Sequence, residues 1–186
     1  MVSSEAQERF ASELARQGID IVHPLDVRWY NAHVAEHGLQ AQLPLLPDYG
    51  RRGGGGDGAG EGSGGALAIL LGNTKALWPC FLDWLGAQRE SKAAAGEKTE
   101  ISDPLDSYTG SVIRAAVATL AASGGEAAGG HAVAHDVFWS WEKGDRLVSM
   151  QRVAVASGLC YHDGETQLAI HPTHGAWVCV PKEPLK

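Results

Sequence analysis

Two short stretches near the end of the chain concentrate the side chains that could do chemistry. His171-Pro172-Thr173-His174 sets two imidazoles three positions apart, and Cys179 follows on the next segment. Imidazole and thiolate are zinc ligands, but a structural zinc site is built from paired Cys/His spacings, and the chain offers one such pair and no H-E-x-x-H. Ordinary hydrogen bonding of turn histidines accounts for the pattern better, and no metal site is expected. Cys160-Tyr161-His162-Asp163 lines up a thiol, an imidazole and a carboxylate. Catalytic triads are assembled in space and sequence neighbours point different ways, so Cys160 is expected to be a buried, inert thiol, and no catalytic residue is assigned. The glycine run RRGGGGDGAGEGSGG at 51–65 invites a phosphate loop. It lacks G-x-x-x-x-G-K-[ST], and no strand enters it with a helix leaving. Six tryptophans would suit an apolar cofactor crevice, and would equally suit a core.

The elements that must position these groups follow from periodicity. Ser4 to Arg16 predicts a helix with a Ser4/Gln7 capping box, an apolar stripe of Ala6, Phe10 and Leu14, and Gly18 as its stop. Ile19 to Val22 reads as a short strand broken at Pro24, and Leu25 to Asn31 as the start of a helix ending near Gly38, with Trp29 and Tyr30 as core aromatics. Leu39 to Asp48 is expected to be extended. The run at 51–65 is expected to be a flexible insert, since it has too little apolar surface to offset its ordering entropy. Ala66 to Gly72 predicts a strand buried on both faces. Asn73 would cap a helix carrying Leu77, Trp78, Phe81, Leu82 and Leu85, with 87–100 a polar connection. Asp103 as N-cap and Pro104 at the first helical position open a long helix ending at Gly124-Gly125.

His131 to Glu142 alternates most regularly and predicts a strand; Leu147, Met150, Val153 and Ala154 fit helical spacing better than alternation, while Val153-Ala154-Val155-Ala156 leaves helix and strand both open. Gln167–Ile170 and Gly175–Val180 predict two strands joined through the His171–His174 connection. This mixture of elements predicts an α+β fold with helices on a largely antiparallel sheet, as a single domain over 1–186.

Composition narrows the function classes. A net charge of −7 argues against nucleic acid as partner. No apolar run approaches the ~20 residues of a membrane span, and the start lacks the basic-then-apolar pattern of a secretory signal. Three cysteines without C-x-x-C spacing favour a reducing, cytoplasmic setting.

Several blocks, in order, resemble the CblC-type cobalamin-processing proteins (cyanocobalamin reductases and alkylcobalamin dealkylases). They are Gly18–Pro24 leading into Val27-Arg28-Trp29-Tyr30-Asn31, the Leu67–Leu71 strand with Phe81-Leu82, Ser102-Asp103-Pro104-Leu105-Asp106, and Ile170-His171-Pro172 with Gly175-Ala176-Trp177. The glycine run falls at a family loop.

The resemblance implies a nitroreductase-like scaffold and cobalamin as ligand and substrate. It places corrin contacts at Asp136, on Val148, Ser149, Met150 and Gln151, on His162, Asp163 and Gly164, and at Ala169 and Val180. The chain has no Asp-x-His-x-x-Gly, in keeping with base-off binding without a protein histidine below cobalt. The implied activity is reductive decyanation of cyanocobalamin, with FMN or FAD as electron donor through a flavin reductase, and with a downstream cobalamin-trafficking protein as partner. A non-catalytic cobalamin carrier, or chaperone, is the alternative. In relatives an arginine follows the last strand and a histidine stands on the helix; here these positions are Pro181 and Val155, and the chain ends at Lys186 where relatives continue into an arginine-bearing cap. Glutathione-dependent dealkylation is therefore expected to be weak, because glutathione's carboxylates would lose those partners.

Overall fold

The computed structural model describes residues 4–47, 67–127 and 135–176. In chain order these form α1 (Ser4–Arg16), β1 (Ile21–Asp26), α2 (Val27–Glu36), β2 (Leu67–Gly72), α3 (Leu77–Ala94), α4 (Pro104–Ala127), a 3-10 turn (Gly144–Arg146), α5 (Met150–Ala156), β3 (Tyr161–Asp163) and β4 (Leu168–Ile170). The fold is α+β. Among the described residues the strands form two separate pairs, β1 with β2 and β3 with β4. The contacts divide the chain into two units, Met1–Ile21 with Asn73–His135 and Val22–Gly72 with Asp136–Lys186.

The first unit is helical. The stripe of α1 buries Ala6, Phe10 and Leu14 as its 3.6-residue spacing predicts, and α1 and α3 both pack on α4. Tyr108 of α4 is almost fully buried against Phe81 and Trp84, and its hydroxyl donates to the Gln17 carbonyl at 2.8 Å. Gly18 ends α1 at φ 79° and lies directly on the backbone of Leu77.

The helix starts differ in part from expectation. Pro104 does open α4, with the Asp103 carbonyl accepting from Ser107 N–H at 2.9 Å. Asn73 does not cap α3. Thr74 organises that approach, its N–H and hydroxyl both donating to the Asp20 carboxylate and its Oγ accepting from Ala76 N–H. The sequence AQRESKAA at 87–94 continues α3, because Ala, Gln, Arg, Glu and Lys are strong helix formers even where nothing is buried. Similarly α4 runs past Gly124-Gly125 to Ala127. Glycine lowers helix propensity but ends a helix when it takes the left-handed cap conformation.

The second unit holds an apolar cluster of Leu25, Tyr30, Val34, Leu43, Leu70, Val148, Val153, Ala154, Cys160 and Ala169. β1 continues through Pro24 rather than breaking there. Proline's fixed φ suits extended backbone, and β1, in a two-stranded sheet, has one unpaired edge, the setting in which strand prolines are tolerated. β2 is not buried on both faces: Leu70 is buried, while Leu67 is 50% exposed. Asp26 caps α2 by accepting from Arg28 N–H at 2.8 Å. Asn31 then holds the following segment from both sides, donating to the Leu46 carbonyl at 3.0 Å and accepting from Leu46 N–H at 2.8 Å. Asn31→Ala is expected to cost about 1–3 kcal/mol, since it strands two part-buried backbone groups. Urea denaturation monitored by tryptophan fluorescence measures it, and a loss under ~0.5 kcal/mol would mean water replaces the amide fully.

The clearest predicted strand, 131–142, is not a strand where it is described. Residues 131–134 lie outside the described set, and 135–142 form an irregular segment closed by a turn. Side chains take up part of its backbone hydrogen bonding. Arg146 Nη2 donates to the Val137 carbonyl at 2.5 Å, and Trp139 N–H donates to Glu142 Oε2 at 2.8 Å. The alternation survives as geometry: Trp139 and Trp141, two apart, stack with ring centroids 4.9 Å apart.

β4 has a partner the sequence did not mark as a strand. It pairs antiparallel with β3, in the register Tyr161–Ile170, His162–Ala169 and Asp163–Leu168. The predicted strand at 175–180 is described only to Ala176, and Gly175 makes an isolated bridge back to His171.

Candidate functional site

Eight of the ten residues singled out for ligand contact lie on or beside α5 and the β3–β4 hairpin of the second unit. α5 packs on β2, β3, β4 and α2. Val148, just before α5, and Ala169 in β4 are buried within the apolar cluster, so they support the surface from beneath. Ser149 caps α5, its Oγ accepting from Arg152 N–H at 3.5 Å. Met150 and Gln151, in the first turn, are half-buried.

Across the hairpin, His162 stands opposite Ala169. Asp163 and Gly164 shape the turn: the Asp163 carboxylate accepts from the Thr166 N–H at 3.0 Å and from its hydroxyl, and the Gly164 carbonyl accepts from Gln167 Nε2 at 2.7 Å. The hydrogen bonds from Thr166 hold the Asp163 carboxyl below its usual pKa.

Asp136 stands apart from this group, in the irregular segment, paired with Arg146 Nη1 at 3.1 Å. Arg146 also donates through Nε to Glu142 at 2.6 Å and lies over the Phe138 ring, 4.6 Å from its centroid. That pairing lowers the Glu142 pKa. Val180 lies outside the described residues.

Cys160 is buried, and burial pushes its thiol pKa up. A thiol in that setting is protonated at neutral pH and is no nucleophile. Among the described residues no three His, Cys, Asp or Glu side chains are grouped to hold a metal ion. None of the described helices is long and apolar enough to cross a membrane.

One feature escaped the sequence reading. An open groove of about 490 Å³ runs between α2 and the end of α5, lined by Trp29, Ala32, His33, Glu36, Ala156, Ser157 and Gly158. Trp29, expected in the core, is 52% exposed along it. Nε2 of His33 is buried without a hydrogen-bond partner. Burial lowers the His33 pKa, and the nearby His37, Arg152 and His162 act in the same direction against Glu36. The signal was legible as spacing: Trp29, His33 and Glu36 recur at three and four residues, the period of one helix face.

No protein-family model, curated protein or solved structure matches this chain.

Proposed function

We propose that the second unit binds cobalamin, and that the protein takes part in removing the cofactor's upper axial ligand, on a nitroreductase-like scaffold in the cytoplasm. The observation that carries this reading is convergence. Residues 148–151, 162–164 and 169 are separated in sequence, yet they meet on α5, β3 and β4 around one apolar cluster. A corrin is a broad apolar macrocycle fringed with amide arms, and such ligands are held by an apolar floor with a few convergent polar groups.

The residues present fit the edge of such a ligand. Met150 offers a polarizable apolar contact; Gln151, His162 and the exposed Gly164 backbone offer donors and acceptors for amides. The cap bond of Ser149 and the Thr166 bonds to Asp163 hold the two ends of this surface in place. The groove of about 490 Å³ is of small-ligand size, so a corrin would lie across an open surface rather than inside it. Bound cobalamin would supply a cobalt centre from which cyanide leaves on reduction, the electrons coming from reduced FMN or FAD regenerated by a flavin reductase. Val155, half-buried on α5, brings no charge to a glutathione carboxylate, so decyanation rather than thiol-dependent dealkylation is the activity proposed. Hand-over to a cobalamin-trafficking protein would follow.

Mixing purified protein with cyanocobalamin is expected to shift the visible absorption band to shorter wavelength, as the benzimidazole leaves cobalt. Adding reduced FMN without oxygen is expected to release free cyanide. An unshifted spectrum at saturating protein overturns the binding reading. A shifted spectrum without cyanide release makes the protein a carrier rather than a reductase.

A further inference from the structure

We propose that the turn from His171 to Gly175 is a pH-operated latch at the end of β4, closed while the His171 imidazole is neutral and released when that ring takes a proton. The inference is independent of the ligand. His171 Nδ1 accepts two backbone hydrogen bonds, from Thr173 N–H at 3.1 Å and His174 N–H at 3.2 Å. An imidazole nitrogen accepts only while it carries no proton, so the closed turn requires the neutral Nε2–H tautomer. Pro172 has no N–H, which makes these two amides the first available after His171. The same five residues are tied by His171 N–H to the Gly175 carbonyl at 3.0 Å and Gly175 N–H to the His171 carbonyl at 2.8 Å, with Gly175 at φ 65°.

A proton on Nδ1 would turn an acceptor into a donor facing two donors. Both bonds are then lost together. The charged groups facing His171 oppose that proton. His174 of the same turn lies with its ring centroid 4.7 Å away, and His23 approaches from β1. Burial first, then His174 and His23, hold the His171 pKa below the ordinary histidine value. His23 is not itself a latch: its Nε2 faces the Ser157 carbonyl at 3.2 Å, a bond an imidazole can donate in either protonation state.

The direction follows from proton linkage. The closed turn binds fewer protons than the open one, so the proton's contribution to closure is fully present above the ordinary histidine pKa of ~6.5 and is lost as pH falls from there through the lowered value of the closed turn.

Two readouts on the full chain test this. Imidazole 15N shifts at pH 7.5 are expected to report the Nε2–H tautomer for His171. Hydrogen exchange, corrected for intrinsic rates, is expected to show Thr173 and His174 losing amide protection between pH 7.5 and 5, in the direction the lowered His171 pKa sets. In His171→Asn an amide oxygen accepts without titrating, and protection is expected to hold across that range. An Nδ1–H tautomer at neutral pH, constant protection in the wild type, or a parallel loss in His171→Asn would each overturn the latch. Where His171→Asn fails to fold, the wild-type tautomer and exchange profile decide alone.

Discussion

Gly18→Ala is expected to lower the unfolding free energy by about 2–5 kcal/mol, the sum of a left-handed backbone penalty and an overpacking penalty. Gly18 sits at φ 79°, and a Cβ there would stand 2.5 Å from Leu77 Cα and 2.8 Å from the Ala76 carbonyl oxygen. Both are backbone atoms, so no side-chain rotation relieves the contact. The same residue closes α1, with Gly18 N–H donating to the Ala15 carbonyl and Ile19 N–H to the Leu14 carbonyl, each at 3.0 Å. Gly38→Ala is the control: its φ is 66°, but nothing lies within 4 Å of the added carbon, so only the backbone penalty of about 1–2 kcal/mol applies. Urea denaturation of both variants gives the comparison. Equal losses at the two positions would mean that α1 does not end against the start of α3.

The second large effect divides neighbouring residues of one motif. Tyr30→Ala is expected to cost about 3–5 kcal/mol, as for other buried aromatics. Trp29→Ala is expected to stay within ~0.5 kcal/mol, as for other exposed substitutions. Tyr30 is fully buried in the apolar cluster of the second unit, whereas Trp29 turns its ring to the groove. If truncating Trp29 destabilised the protein as much as truncating Tyr30, the face of α2 that meets the cluster would have to be another one. Tyr30→Phe, which keeps the ring, is expected to retain most of the stability.

Where sequence and structure agree, the deciding interactions are local. α1 is set by the spacing of Ala6, Phe10 and Leu14 and by Gly18, and α4 opens where Pro104 fits the first turn. Each needs only a few neighbouring residues. Disagreement arises where a partner distant in sequence, or a side chain, decides. Alternation in 135–142 defines two faces but names no neighbouring strand, and here Arg146 and Glu142 satisfy the backbone instead. β3 is three residues long, Tyr161 to Asp163, too short to show a period; it exists because Asp163 folds the turn that returns β4 onto it. The candidate positions came from the resemblance alone, and what the fold adds is that eight of the ten lie on or beside α5 and the β3–β4 hairpin. The groove was not legible, because Trp29 has the composition of a core residue and only the rotation of α2 exposes it.

The arrangement around Arg146 has a consequence for how this segment tolerates change. A strand spreads its hold over many weak, interchangeable backbone bonds, so most substitutions leave the ladder intact. Residues 136–142 instead hang from one guanidinium that meets two carboxylates, a carbonyl and an aromatic face at once. A carbonyl is supplied by any residue at 137, so that position is free to drift. Lysine at 146 would keep the charge but lose the planar fork that reaches several acceptors together. The shape of these seven residues thus depends on an eighth, outside the stretch, acting together with Glu142 within it.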